Sequence, residues 1–73
     1  MSSEDPQVVA IAGDMIRLGQ LLKLSGLADS GGEARELVTE GVVRVNGVVE
    51  TRRGRQLHSA DVVEVNGERV RVA

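Results

Sequence analysis

Arginine is the residue type in this sequence best suited to ligand chemistry, and four arginines lie within residues 44–55. This segment contains four basic residues and one acid, a net charge of +3, whereas the rest of the chain contains five basic and ten acidic residues, a net charge of −5. The whole chain therefore carries a net charge of −2. A planar guanidinium can hold a phosphate through two parallel hydrogen bonds, so a local excess of arginine suits a polyanion. The basic residues are Arg44, Arg52, Arg53 and Arg55, and the acid is Glu50.

Residues 52–55 are therefore a candidate phosphate-binding loop, called here the arginine loop. Two alternatives stay open at this point. The loop could be solvated and bind nothing, because charge runs often form exposed surfaces. It could also dock an acidic protein partner, in which case the chain would act as a protein-interaction adaptor.

Two further cations lie on segments with helical periodicity. Lys23 and Arg35 point away from the apolar faces of the first and second predicted helices. If the two helices lie side by side, these side chains and the arginine loop could form one patch on a single exposed surface. Arg17 and Gln20, near the start of the first helix, are further candidates for this patch.

Gly31 and Gly32 occupy the first turn of the second predicted helix, where glycine costs up to about 1 kcal/mol relative to alanine. Close packing against the first helix is one explanation. The other is that unobstructed N–H groups at the helix start accept a phosphate.

The composition disfavours several other kinds of site. The chain has no cysteine and one histidine, His58, so it lacks a thiolate nucleophile and the usual ligands of a metal site. No nucleophile–base pair is visible, and we predict no enzymatic activity, no cofactor and no small-molecule substrate. The absence of Phe, Trp and Tyr removes the rings on which single-stranded bases stack, whereas recognition of folded RNA needs charge and donors.

The stretch from Ser30 to Gly47 predicts the elements that position these residues. Ser30 and Glu33 have the spacing of a capping box, in which the serine binds a helix N–H and the glutamate reaches back to the cap. The apolar residues of 34–41 share one helical face, and Gly41 is a natural terminator. The β-branched residues of 42–45 predict a strand, and Asn46-Gly47 predicts a tight hairpin.

The remaining segments complete a small α+β domain, with short helices packed on a mostly antiparallel sheet. Before the central stretch, we predict a strand at 7–11, a turn at Gly13-Asp14, a strand or helix entry at 15–16, and a first helix at 18–25 that ends at Gly26 in a Schellman motif. After it, we predict a return strand at 48–51, entry of Leu57 into the core, a strand at 62–65, a second hairpin at Asn66-Gly67 and a last strand.

A chain of this length corresponds to one domain, which we place at residues 7–73, after a disordered tail at residues 1–6. The start, MSSEDPQ, is acidic and polar rather than a basic segment followed by an apolar one. No apolar run approaches the ~20 residues that span a bilayer. We therefore expect a cytoplasmic protein, a monomer that does not bind membranes.

The order of short motifs from Arg17 to Val65 resembles the RNA-binding domain named after small-subunit ribosomal protein S-four, also called the αL RNA-binding motif. Gly31-Gly32 and residues 50–54 resemble the stand-alone YbcJ-like subgroup of that family, which has a short strand segment in front of the domain. The matching motifs are Arg17-Leu18, Leu21-Leu22, Gly26-Leu27-Ala28, Ser30, Ala34-Arg35, Leu37-Val38, Gly41, Val43-Arg44-Val45-Asn46-Gly47 and Asp61-Val62-Val63.

The resemblance implies two helices on a small sheet and binding of structured RNA, often ribosomal. We therefore expect a non-catalytic module that recognises structured RNA through phosphate contacts, with ribosomal RNA or ribosomal particles as candidate targets. The family pattern places an arginine after the cap serine, where this chain has Gly31, so one phosphate-contacting charge is missing. The candidate RNA-binding residues are Arg17, Gln20, Lys23, Ser30, Gly31, Gly32, Arg35, Asn46, Arg52, Arg53 and Arg55.

Overall fold

The computed structural model describes residues 6–73, so the predicted tail lies outside the described residues except for Pro6. The described residues form helices α1 (Leu18–Leu24) and α2 (Gly31–Thr39) and seven short strands. The strands are β1 (Gln7–Val9), β2 (Ile16–Arg17), β3 (Val43–Val45), β4 (Val48–Val49), β5 (Gln56–Leu57), β6 (Val62–Val65) and β7 (Glu68–Val72).

Five strands form one sheet in the order β1-β7-β6-β3-β4, and β2 pairs with β5 in a separate two-stranded sheet. The β1–β7 pair is parallel, and the other strand pairs are antiparallel. The predicted α+β class, with two short helices and a mostly antiparallel sheet, is confirmed. Within residues 6–73, neither helix has the length and apolar character needed to cross a bilayer.

Helix α1 ends at a glycine, as predicted, in a motif close to the Schellman type. Gly26 has a φ of +84°, and its N–H donates to the carbonyl of Lys23 at 3.2 Å. The second bond of the motif, to the carbonyl of Leu22 at 2.9 Å, comes from the N–H of Ala28. In the standard motif that donor is one residue earlier, at Leu27.

Helix α2 begins at the predicted cap, with one shift in its hydrogen bonding. The Oγ of Ser30 accepts the N–H of Glu33 at 3.1 Å. The Glu33 carboxylate accepts from the N–H of Asp29, one residue before the predicted donor. After α2, Gly41 has a φ of +78°, which a glycine adopts without steric cost.

The strands depart from the sequence prediction on either side of the arginine loop. The return strand predicted for residues 48–51 stops at Val49. The N–H of Glu50 still bonds to Val43, but the next two N–H groups, of Thr51 and Arg52, bond to the Glu50 carboxylate. Residues 56–57 form β5, which the sequence did not indicate because two residues are too few to show alternation. This strand pairs Leu57 with Ile16 and thereby holds the loop against the start of α1.

The core lies between the helices and one face of the five-stranded sheet. Leu57 is fully buried, which confirms its predicted entry into the core. Arg44 and Arg71 alternate with buried valines along β3 and β7, so they lie on the sheet face away from the helices. The largest buried side chains are Leu18, Leu21, Leu22, Leu57, Val38, Val43, Val45, Val63, Val70 and Val72.

Candidate nucleic-acid interface

An open groove of about 360 Å³ lies between the start of α1, the start of α2 and the arginine loop. We call it the basic groove, because its lining, as described for residues 6–73, includes three cations and no acidic residue. Five of the predicted RNA-binding residues meet here, although they come from three separate parts of the chain. The lining residues are Arg17, Gly19, Gln20, Lys23, Gly31, Ala34, Arg53 and Gly54.

The arginine loop is fixed to the start of α1 by its backbone. The N–H of Leu18 donates to the carbonyl of Arg55 at 2.8 Å, and the N–H of Gly19 donates to the carbonyl of Arg53 at 3.0 Å. The guanidinium of Arg17 donates to the carbonyl of Gly54 at 2.9 Å. These bonds satisfy two helix N–H groups that would otherwise lack partners, and they place the loop at one wall of the basic groove.

The other side of the arginine loop is held by Glu50, the buried acidic residue of the described core. Its carboxylate accepts from Arg52 Nε at 3.1 Å and from Arg55 Nη1 at 2.8 Å. It also accepts the backbone N–H groups of Thr51 and Arg52, at 3.1 and 3.0 Å. The hydrogen bonds from Arg52 and then Arg55 lower the pKa of Glu50 to about 2, so the carboxylate is ionised at neutral pH.

The cations near the basic groove therefore differ in their partners. Arg52 and Arg55 pair with Glu50, although the Arg52 side chain is still 76% exposed. Lys23 and Arg53 are exposed and have no hydrogen-bond or ion-pair partner among residues 6–73. A phosphate entering the groove would meet these two side chains without having to displace a carboxylate.

Three other predicted site residues lie outside the basic groove, in more acidic surroundings. Arg35 lines a separate depression with Thr39 and two acids of α2, Glu36 and Glu40. Arg35 therefore does not line the basic groove, and the predicted single patch of Lys23, Arg35 and the arginine loop is not found there. Ser30 and Gly32 line another depression with three acids, Asp29, Glu33 and Glu36.

The packing explanation for Gly31 and Gly32 finds no support in the geometry. A Cβ built on Gly31 would have no neighbour within 4 Å, and one built on Gly32 would meet only the Oγ of Ser30, at 3.8 Å. Neither residue has a positive φ. Nothing in the described fold therefore requires glycine at these two positions.

Asn46 uses its side chain within the domain. Its Nδ2 donates to Asp61 at 3.0 Å, and its Oδ1 accepts the N–H of Val62 at 3.0 Å. Partial burial raises the pKa of Asp61, but hydrogen bonds from the His58 N–H and from Asn46 outweigh it and lower that pKa. Both ends of the Asn46 amide thus link the first hairpin to the start of β6.

Sequence reasoning missed four residues of this site. Gly19, Ala34 and Gly54 line the basic groove, and Glu50 organises its loop wall. The glycines carry no signal of their own, because their role depends on a contact between distant segments. Glu50 did carry one, since it is the single acid within an arginine-rich segment.

The sequence matches one protein-family model and is similar to small bacterial proteins. A model of the S4 domain family matches residues 9–73. The chain is 46% identical over 59 residues to a Bacillus subtilis (strain 168) protein named probable ribosome maturation protein RlbA, covering 81% of this chain and 83% of that one. It is 39% identical over 57 residues to YbcJ of Escherichia coli (strain K12), covering 78% and 81%.

Solved structures resemble the fold as well. The solution structure of Escherichia coli YbcJ, described as revealing an αL motif involved in RNA-binding, matches with a TM-score of 0.73 and 30% identity. That match covers 100% of this chain and 94% of YbcJ. The 30S ribosomal protein S4e of Thermoplasma acidophilum matches with a TM-score of 0.63 and 28% identity, over 82% of this chain and 32% of that one.

Proposed function

This chain belongs to the S4 domain family, and on that premise we propose that it is a non-catalytic module that binds structured RNA through phosphate contacts in the basic groove. The observation that carries the proposal is that, within the described part of the chain, Lys23 and Arg53 are exposed and unpaired in a groove lined by no acid. Because the chain has no Phe, Trp or Tyr ring on which bases could stack, affinity comes mainly from charge and backbone donors.

The centre of the proposed interface consists of the predicted residues that line the groove. Gln20 and Gly31 add polar and backbone contacts to the cations there. Arg52 extends the surface. Within its exposed guanidinium, Glu50 binds the Nε, so the two terminal nitrogens can still donate to a phosphate. Contacts by Ser30, Gly32, Arg35, Asn46 and Arg55 stay predictions.

We infer that the target is ribosomal RNA or a ribosomal particle. The name of the Bacillus subtilis relative, a probable ribosome maturation protein, supports this choice of target. A role on ribosomal RNA fits a cytoplasmic protein, and we propose that residues 7–73 act as one domain and as a monomer. An RNA-bound form would then need no second subunit to complete the groove.

The proposal is tested by titrating a labelled RNA hairpin with the whole chain at several salt concentrations. If about three or four phosphates are engaged, log K falls with log salt at a slope of roughly −2 to −4. Lys23→Gln combined with Arg53→Gln should weaken binding by at least about tenfold and flatten that slope.

The matched control is Arg44→Gln combined with Arg71→Gln. It removes the same charge from two exposed arginines on the sheet face away from the helices. We expect this control to change affinity much less than the groove variant does. An equal loss in both variants would mean that RNA responds only to net charge, and undetectable binding by the wild type would refute the proposal.

A further inference from the structure

Glu50 is buried at the base of the surface that is proposed to bind RNA, and this is unusual for an acidic residue. Only 7% of the residue is exposed. Its own N–H bonds to the carbonyl of Val43 at 2.9 Å, which anchors it to β3. The carboxylate then receives four hydrogen bonds from residues 51–55, two from backbone N–H groups and two from guanidinium groups.

Arg53 lies between the two sets of contacts that fix the arginine loop. On one side, Glu50 binds Arg52 and Arg55, the residues that flank Arg53 and Gly54. On the other side, Arg17 and the first two residues of α1 donate hydrogen bonds to the carbonyls of residues 53–55. Among residues 6–73, the Arg53 side chain makes no hydrogen bond or ion pair to either anchor, so its direction depends on how the loop backbone is held.

We propose that Glu50 is a positioning residue for RNA binding, which holds the arginine loop so that Arg53 faces the basic groove. This inference rests on the proposed function of the groove. It has a counterintuitive consequence, because a negative charge then supports the binding of a polyanion.

The sign of one substitution separates positioning from simple electrostatics. Glu50→Gln removes an acid near the RNA and releases Arg52 and Arg55 from their carboxylate partner. If charge alone governs affinity, binding becomes tighter. If Glu50 positions the loop, binding becomes weaker by roughly three- to tenfold. The plot of log K against log salt then becomes shallower, its slope smaller in magnitude by about one.

The test compares Glu50→Gln with Glu68→Gln on the same labelled RNA hairpin. Glu68 is an exposed acid at the start of β7 and does not line the basic groove, so the control makes the same change in net charge. Weaker binding by Glu50→Gln, with unchanged or tighter binding by Glu68→Gln, is the expected result. Equal or tighter binding by folded Glu50→Gln would overturn the inference.

A double-mutant cycle shows whether Glu50 acts through Arg53. In an Arg53→Gln background, Glu50→Gln should have almost no further effect on affinity, whereas general damage to the fold would weaken binding equally in both backgrounds.

If Glu50→Gln does not fold, Glu50→Asp replaces it, because the shorter side chain keeps the charge but cannot reach all four donors. Unchanged affinity in folded Glu50→Asp also overturns the inference. Failure of wild-type binding would instead refute the proposed function.

Discussion

Arg52, Arg53 and Arg55 are chemically alike and almost adjacent, yet the fold gives them different neighbours. Two of them pair with Glu50, whereas Arg53 lies in the basic groove with no partner in the described part of the chain. The burial of Glu50 explains the two pairs, because a buried carboxylate is stable only when it is well hydrogen-bonded. At the residue scale, one acid therefore decides which arginines are held in ion pairs.

The pairing of Glu50 makes stability depend on pH in the acidic range. Since the folded pKa of Glu50 is lowered from 4.5 to about 2, its contribution is fully present above pH 4.5 and is lost as the pH falls towards 2. We expect the midpoint of urea unfolding, measured by circular dichroism, to fall over that window. Glu50→Gln should be less stable at neutral pH and should show a shallower decline, and parallel curves for the two proteins would contradict the assignment.

Gly31 and Gly32 lower the stability of α2 without any contact that requires them. Replacing both by alanine should raise the free energy of unfolding by roughly 0.4–1 kcal/mol per residue, because alanine restricts the unfolded chain more than glycine does. The same variant should bind RNA more weakly if the bare helix start admits a phosphate. Unfolding in urea and titration of the RNA hairpin measure the two effects separately.

Gly41 provides a control for this pair, since it also adjoins α2. Its φ of +78° suits glycine and penalises alanine by about 1–2 kcal/mol, so Gly41→Ala should lower stability. A stability loss in the Gly31→Ala/Gly32→Ala variant would reveal packing that the geometry does not show. Unchanged RNA affinity would remove these glycines from the interface.

At the scale of elements, the two hairpins have nearly identical turns but different attachments. Asn46 and Asn66 both have a φ of 52°, and the glycines that follow have φ values of +87° and +88°. Positive φ at both central positions is the geometry that favours Asn-Gly in two-residue hairpins. Among residues 6–73, however, only the first turn is tied to a distant segment by its asparagine side chain, through the hydrogen bonds of Asn46 to Asp61 and Val62.

This difference predicts unequal effects for the same substitution. Asn46→Gly keeps the backbone conformation accessible but removes two hydrogen bonds, so it should cost about 1–3 kcal/mol of stability. Asn66→Gly should change stability by only a few tenths, because the Asn66 side chain has no hydrogen-bond partner among residues 6–73. Urea unfolding of both variants checks this, and equal losses would show that the turn itself is responsible.

At the scale of the whole molecule, a small aliphatic core holds the groove-forming segments together. Leu57 is fully buried, and its strand β5 joins the arginine loop to β2 and α1. Because the core has no aromatic side chain, each buried leucine accounts for a large share of the buried apolar surface. Loss of the Leu57 side chain therefore affects both the stability of the fold and the position of the arginine loop.

Leu57→Ala should destabilise the domain by about 2–5 kcal/mol, a large fraction of the roughly 4–11 kcal/mol expected for a chain of this size. Leu24→Ala is the matched control, since that side chain is 56% exposed and its loss should cost well under about 1 kcal/mol. Thermal or urea unfolding distinguishes the two. A small effect of Leu57→Ala would mean that the core collapses around the cavity.

Local signals determined much of this protein. The Ser30 cap, the glycine helix ends and the two Asn-Gly turns each depend on a few consecutive residues, so the sequence alone predicted them and the α+β class. Short strands such as β5 escaped prediction, because their pairing is set by a partner about forty residues away and not by local propensity.

The arrangement of the groove was decided only by the tertiary structure. Hydrophobic patterning shows which helix face is buried, but it does not say which exposed cations become neighbours or which pair with an acid. The packing of α1 against the arginine loop placed Lys23 and Arg53 along one groove, and the burial of Glu50 brought Arg52 and Arg55 into ion pairs. These outcomes depend on contacts between distant segments, which exist only once the chain has folded.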